Sequence, residues 1–456
     1  MKKRSKLLPI VMAGTLLCAC SSGQPQAEET AKATTQAAAE TAAPTAAEAA
    51  TEAAVQTPDE KEAVNLDVWY ALSGTSGEAF LSIVDDFNAL NTGITITASY
   101  SGGYNDTSTK ITGALSSNTT PDVLIGGQVT YTGAYGNFFA GEMAKSDAEF
   151  DFDDVYEGLW EYGRYNGEIC NIPYGISTNT MFYNKELAAG AGVDLEANPP
   201  ATWAEFMEVC KTIKAAYPDK EEFVPFIVSD QDWLTKTQLL QCNNPVIAHN
   251  EDYSEKTAAW GVEECAKVAQ WWQDMVREGV MDMTMNQNGT NIFSAGNAAF
   301  FAGSSTKIIE WSDLMGENLG AIEMPIFDKQ AVAMGGNTIS IFPSEDEARA
   351  QAAWTFVKYV TSTEANAKFA VNSGYMPIRL SAAETAEVKD AISRMPVYAV
   401  ANKQLAYAYA YTNIDDYAAL ATALDSARVK VTEDLEYDAL TAMQEAAEMY
   451  DEEANY

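Results

Sequence analysis

From residue 66 onward the chain alternates short apolar runs with helical spacings of apolar residues, and that alternation restricts it to α/β folds in which helices cover a mainly parallel sheet. Residues 66–71 read as a strand, and Phe80, Ile83, Val84, Phe87 and Leu90 then recur at helical spacing within 78–91. Residues 94–99 alternate Ile and Thr as a second strand, and another helical stretch leads through Pro121-Asp122 to the apolar run 123–125. Parallel neighbours need a crossover of this kind. Ligands of such sheets bind at the carboxyl ends of the strands.

The pattern restarts after Pro173. Residues 180–183 are strand-like, and Thr202 with Glu205 forms a capping box before a helix whose apolar face is Trp203, Phe206, Val209 and Ile213. Residues 223–228 form a strand, 256–278 a long helix stopped by Gly279, and 298–301 another strand. A strand at 334–342, a helix at 348–360 and helical patterns over 383–449 complete the chain, with no internal repeat. The length of 456 residues suits at least two packed units, because single cores stop growing near ~250 to 300 residues.

Composition removes several functions. With 28 Lys+Arg against 65 Asp+Glu the formal net charge is −37, which argues against nucleic acid as a partner. His249 is the single histidine, so a His-rich zinc site is excluded, and it reads as a surface-loop residue. Asp151, Asp153 and Asp154 read as a solvated loop without the Gly and distal Glu of an EF-hand. No GxSxG, P-loop or GxGxxG occurs, so no metal and no cofactor is expected.

The start of the chain gives its address. Lys2, Lys3, Arg4 and Lys6 precede a mostly apolar run that ends Leu17-Cys18-Ala19-Cys20, too short to span a membrane. Residues 1–19 read as a signal peptide. The ending resembles the bacterial lipobox, which makes Cys20 the lipid acceptor and places the chain on the outer face of the cytoplasmic membrane. Residues 20–63 are rich in Ala, Thr and Glu and contain no aromatic, so they read as a tether, with a reach on the order of 35 Å if flexible. Cys170, Cys210, Cys242 and Cys265 remain; they permit three pairings, and buried thiols are an equal alternative.

Phe182-Tyr183-Asn184-Lys185-Glu186-Leu187, Ala191-Gly192-Val193 and the stretch from Pro199 through Trp203 to Phe206 together resemble the signature of family-1 extracellular solute-binding proteins, the capture subunits of ABC importers. Trp69, Phe87-Asn88, Pro121-Asp122-Val123 and Gly374-Tyr375-Met376-Pro377-Ile378 agree in order. The resemblance covers nearly all of 64–380. It implies a two-lobed clamp, each lobe a mainly parallel sheet flanked by helices, with lobe 1 formed by 64–172 and 334–374 and lobe 2 by 175–330 and 378–456. Hinges would lie near Pro173, Ala333 and Pro377.

Within that family the likeness is to the glycerol-3-phosphate-binding branch, and it implies ligand contacts from Tyr104, Ser177, Ser304, Gly336 and Tyr375, with Gln128 where the branch has Glu. The branch's phosphate-holding Arg has no counterpart; Tyr407, Tyr409 and Tyr411 occupy its region. A buried phosphate needs charge-assisted partners, whereas a neutral sugar needs aromatic faces and neutral donors. The expected ligand is therefore a neutral sugar or oligosaccharide, with glycerol-3-phosphate or a glycerophosphodiester as the alternative.

Each candidate also has a packing explanation. Trp69 closes the first strand and reads equally as a core plug. Trp233 follows Ser229-Asp230-Gln231-Asp232 in a predicted loop, where stacking on a ligand is the better reading. Trp271 and Trp272 read as core. Gln128 and Ser177 read equally as residues that cap helices or satisfy backbone groups. The rival class is a surface glycoside hydrolase with two carboxylates about 5 to 9.5 Å apart. The expected partners are membrane permease subunits with a separate ATPase, reached by a monomer on a lipid anchor.

Overall fold

The computed structural model describes residues 63–127, 139–165, 167–242, 245–251, 253–410 and 417–454. The signal peptide, Cys20, the tether through residue 62, Gln128 and Tyr411 lie outside them. No helix among the described residues is long and apolar enough to cross a membrane.

Among these residues a sheet of nine strands organises the fold. The strands are β1 Val64–Tyr70, β2 Ile94–Tyr100, β3 Val123–Gly126, β4 Ile172–Asn184, β5 Val224–Val228, β6 Ala298–Ser304, β7 Leu319–Ile322, β8 Val332–Ile341 and β9 Ala408–Tyr409. Their order is β2-β1-β3-β8-β4-β6-β5, with β7 beside β4 and β9 beside β8. Parallel ladders join β1 to β2 and β3 at one end, and β5 to β6 at the other, as the strand–helix alternation predicts. The centre differs from the expectation of a parallel sheet: β4 and β8 are antiparallel to each other and to β6 and β3. These two strands are long because each serves both halves.

Burial shows how. Ile172, Tyr174 and Ile176 of β4 join Leu66, Val68, Phe80, Phe87, Ile339 and Phe356 in one hydrophobic core. Farther along the same strand, Met181 and Tyr183 enter a second core with Trp203, Phe206, Val228, Trp271 and Trp272. Phe182 points to the opposite face, against Phe301, Trp311 and Tyr398. A strand buried on both faces reads as a continuous run, and all of β4 is buried. Between its two apolar stretches lie Ser177, Thr178, Asn179 and Thr180, all buried and all polar. The molecule is thus two-lobed, with polar backbone crossings between apolar cores.

Local chemistry fixes the helices. The Thr202 hydroxyl accepts from the Glu205 N–H at 3.2 Å, while the Glu205 carboxylate accepts from the Thr202 N–H at 3.1 Å, completing the predicted capping box. The helix predicted over 256–278 is shorter, Glu263–Arg277, and Lys256–Ala258 instead pairs with Ile247–His249 as a hairpin. The break is Gly261, pressed against Ala447 of the last helix, followed by extended Val262. His249 is exposed at the end of a hairpin strand and stacks on Tyr253.

One reading of the acidic residues also changes. Asp154 is no solvated loop residue: its carboxylate accepts from the Ser381 N–H at 2.9 Å and pairs with the buried Arg379 at 3.2 Å. Arg379 donates further to the carbonyls of Phe150, Asp151 and Thr361. Spacing alone cannot reveal a partner more than two hundred residues away.

Candidate ligand-binding site between the lobes

Three chain segments lie side by side where the cores meet. Gly336 of β8 pairs with Ile176 of β4, and Met376 bridges Ile176 from the other side, its N–H donating to the Ile176 carbonyl at 2.7 Å. The register of β8 shifts between Asn337 and Thr338. Gly336 has a φ of 131°, and a Cβ there would overlap the Gly175 carbonyl, so only glycine permits this approach.

Tyrosines gather over this floor. The Tyr104 and Tyr375 hydroxyls are 3.3 Å apart. Tyr104 opens the helix Tyr104–Ser117 just beyond the carboxyl end of β2, as the rule for such sheets requires. The Tyr375 ring stacks on Phe369, which stacks on Tyr174, so its position is fixed from behind. Tyr162 donates to the Gly336 carbonyl at 3.1 Å. Burial raises the pKa of both Tyr104 and Tyr375, and Tyr375 raises that of Tyr104 further, so both present neutral O–H groups.

Asn337 stands beside the pair. Its Oδ1 accepts from the Gly175 N–H at 3.1 Å, and its buried amide faces the Tyr104 and Tyr375 hydroxyls, lowering the pKa of each. A buried amide beside two hydroxyls is a ready contact for an oxygen-rich ligand.

The other candidates divide. Ser177 lies opposite Gly335 in the ladder, and a Cβ at Gly335 would fall 3.3 Å from the Ser177 hydroxyl and 2.9 Å from the Trp233 ring. Trp233 is not in a loop: it lies in the first turn of the helix Gln231–Cys242, its N–H accepted by Asp230 at 2.9 Å and its indole donating to the Ala333 carbonyl at 3.0 Å. Burial raises the Asp230 pKa. Ser304 ends β6 and accepts from the Thr306 N–H and hydroxyl at 3.3 and 2.9 Å, while Thr306 lies against Gly374, next to Tyr375. Trp69 is placed elsewhere: its indole donates to Asp67 at 3.1 Å and packs with Ile111, Leu124 and Phe342. Gln128 lies outside the described residues. Tyr407 donates to Glu323 at 2.5 Å, and Tyr409 is exposed.

Sequence reading missed Tyr162, Asn337 and Gly175, which carry no local signal and arrive through register. It also missed Arg428, buried in the helix Tyr417–Glu433. Its guanidinium pairs with Asp425 and lies 5.5 Å from the Trp272 ring, with Nε and Nη1 unpartnered. Asp230 and Asp232, just before Trp233 in sequence, act on it electrostatically.

A groove of about 1420 Å³ also lies along β7, between Pro199-Pro200 and Met395-Pro396. It contains none of the candidate residues. The tyrosine cluster is the better candidate, because there the crossing strands, two hydroxyls and the Asn337 amide converge. Among the described residues no group of three or more His, Cys, Asp or Glu could hold a metal.

Two lobes joined by paired crossing strands, with polar and aromatic groups at the crossing, define a clamp-type binding protein. The family of bacterial extracellular solute-binding proteins matches residues 82–396, and the chain belongs to that family. It is 24% identical over 341 residues to the sn-glycerol-3-phosphate-binding periplasmic protein UgpB of Agrobacterium fabrum, covering 71% of this chain and 76% of the relative. In fold it is similar to the cyclic alpha-maltosyl-1,6-maltose binding protein of Arthrobacter globiformis, with a TM-score of 0.74 and 23% identity over 86% of this chain and 99% of that one. UgpB of Mycobacterium tuberculosis in complex with glycerophosphocholine superposes with a TM-score of 0.72 at 19% identity, covering 85% and 98%.

Proposed function

We propose that the protein captures a neutral sugar or oligosaccharide for an ABC importer and passes it on chemically unchanged. Lobe 1 is formed by 64–172 and 334–374 and lobe 2 by 175–330 and 378–456, with hinges near Pro173, Ala333 and Pro377. The ligand docks on one open lobe, and closure brings Tyr104, Tyr375, Asn337, Ser177, Ser304, Gly336 and Trp233 around it. Ligand favours closure through contacts that exist only in the closed form. The observation that carries this reading is the neutral donor set of Tyr104, Tyr375 and Asn337, whose described contacts include no Lys or Arg. Such groups suit hydroxyls, and Trp233 offers a face for a sugar ring.

The mature protein starts at Cys20, whose acyl chains hold it on the outer face of the cytoplasmic membrane as a monomer. It has no catalytic activity, and its partners are permease subunits served by a separate ATPase.

Arg428 favours a second reading. A buried guanidinium with two free nitrogens, in a relative of glycerol-3-phosphate binders, suits a glycerophosphate or its diester. A thermal-shift screen separates the two, because ligand bound to the native state raises its midpoint. Maltose-type oligosaccharides and monosaccharides are expected to stabilise. Stabilisation by glycerol-3-phosphate or glycerophosphocholine alone overturns the sugar reading, and hydrolysis of a stabilising glycan would establish the hydrolase.

A further inference from the structure

Of the four described cysteines, two sit on helices that pack together. Cys242 is the last residue of the helix Gln231–Cys242, Cys265 lies in the first turn of the helix Glu263–Arg277, and these two helices pack together. One turn before Cys242 the Trp272 indole donates to Gln238 at 2.9 Å across the same helix pair, and the two thiols lie near enough to perturb each other's ionisation. Cys265 is fully buried in the second core, while Cys242 packs at its edge and is only partly buried. Cys170 is buried with its thiol on the carbonyl of Glu168 at 3.3 Å, and Cys210 is enclosed among apolar side chains.

We propose that Cys242 and Cys265 form a disulfide once the chain is outside the cytoplasm, leaving Cys170 and Cys210 as thiols. Extracellular compartments permit such bonds. The chain between the two residues carries the hairpin of Ile247–His249 and Lys256–Ala258, which packs on the last helix: the Ala258 N–H donates to Asp451 at 2.6 Å, and Trp260 lies 5.6 Å from Tyr450. The bond would fasten both ends of that excursion to the second core.

The chemistry needs an oxidant, here a protein or small-molecule disulfide. Cys265 first loses its proton to water, the proton of the Cys242 thiol then moves to the Cys265 thiolate, and the resulting Cys242 thiolate attacks one sulfur of the oxidant, releasing its partner as a thiolate. Cys265 loses its proton and attacks the Cys242 sulfur of the mixed disulfide, displacing the second thiolate. Two electrons and two protons end on the oxidant as thiols, and one S–S bond joins the helices. The hydrogen bond from Cys242 lowers the Cys265 pKa, and Lys267 aids both thiolates; Asp328 acts on both in the opposite sense and Glu264 on Cys265. Burial pushes up Cys170 and Cys210, and the interaction between the pair pushes up Cys242 as it lowers Cys265, so the pair ionises through Cys265.

The test uses the full chain treated with oxidised glutathione, then denatured, alkylated and digested without reductant. One cross-linked peptide pair joining Cys242 to Cys265 is expected, with Cys170 and Cys210 recovered alkylated. Recovery of Cys242 and Cys265 both alkylated, or a bridge from either to Cys170 or Cys210, overturns the proposal. In the wild type, oxidation should raise the thermal midpoint by a few degrees, and Cys242→Ser and Cys265→Ser should each abolish that rise. A rise that survives in either variant contradicts the assignment.

Discussion

Tyr104 and Tyr375 stand 271 residues apart in sequence, yet their hydroxyls meet at 3.3 Å over the floor where the three chain segments run together. The pair joins the helix after β2 to the third segment between the lobes. Replacing Tyr375 by Phe removes one neutral donor and keeps the ring on Phe369. Loss of about 1 kcal/mol, roughly 5- to 10-fold in Kd, is expected by calorimetry with the best ligand of the screen. An unchanged Kd would remove Tyr375 from the ligand contacts.

Gly336 supports the same site from below. Alanine there combines a φ of 131° with overlap on the Gly175 carbonyl. Gly336→Ala is expected to destabilise the fold by about 3 kcal/mol or more, read as a lower urea midpoint. A variant as stable as wild type would show that the crossing strands are not held this closely.

Asp147 governs part of the acid response. The indole N–H of Trp354 at 2.7 Å, the Lys358 ammonium at 2.9 Å and the Glu149 N–H at 2.9 Å hold its carboxyl near a pKa of about 2. The folded pKa lies below the unfolded value of about 3.9, so the ionised form stabilises the fold above about pH 4. That contribution fades as pH falls toward about 2. Thermal midpoints of Asp147→Asn should be lower than wild type at neutral pH, with the gap closing over that acid window. Parallel curves for the two proteins would exclude the linkage.

Much of this architecture is written locally. The alternation in residues 64–126 yields parallel strands because each apolar run is short and each helix has one apolar face. Thr202 and Glu205 announce a helix start through a capping pair that needs no tertiary partner. Trp233 was readable too: Asp230 is a capping side chain three residues upstream, a signal outweighed by the polar look of the segment. The hairpin at Lys256–Ala258 depends on Gly261 meeting the last helix, which no local spacing encodes. Tyr104 and Tyr375 came from the resemblance, whereas Asn337 and Tyr162 reach the site through strand register and packing. Arg379 and Asp154 form a pair that only the folded chain assembles.

Small-angle X-ray scattering of the full chain, without and with a saturating oligosaccharide that raises the thermal midpoint, tests closure most directly. The radius of gyration should fall on binding, and the sugar should be recovered intact after dialysis. A ligand that binds tightly while the scattering profile stays unchanged would contradict the clamp.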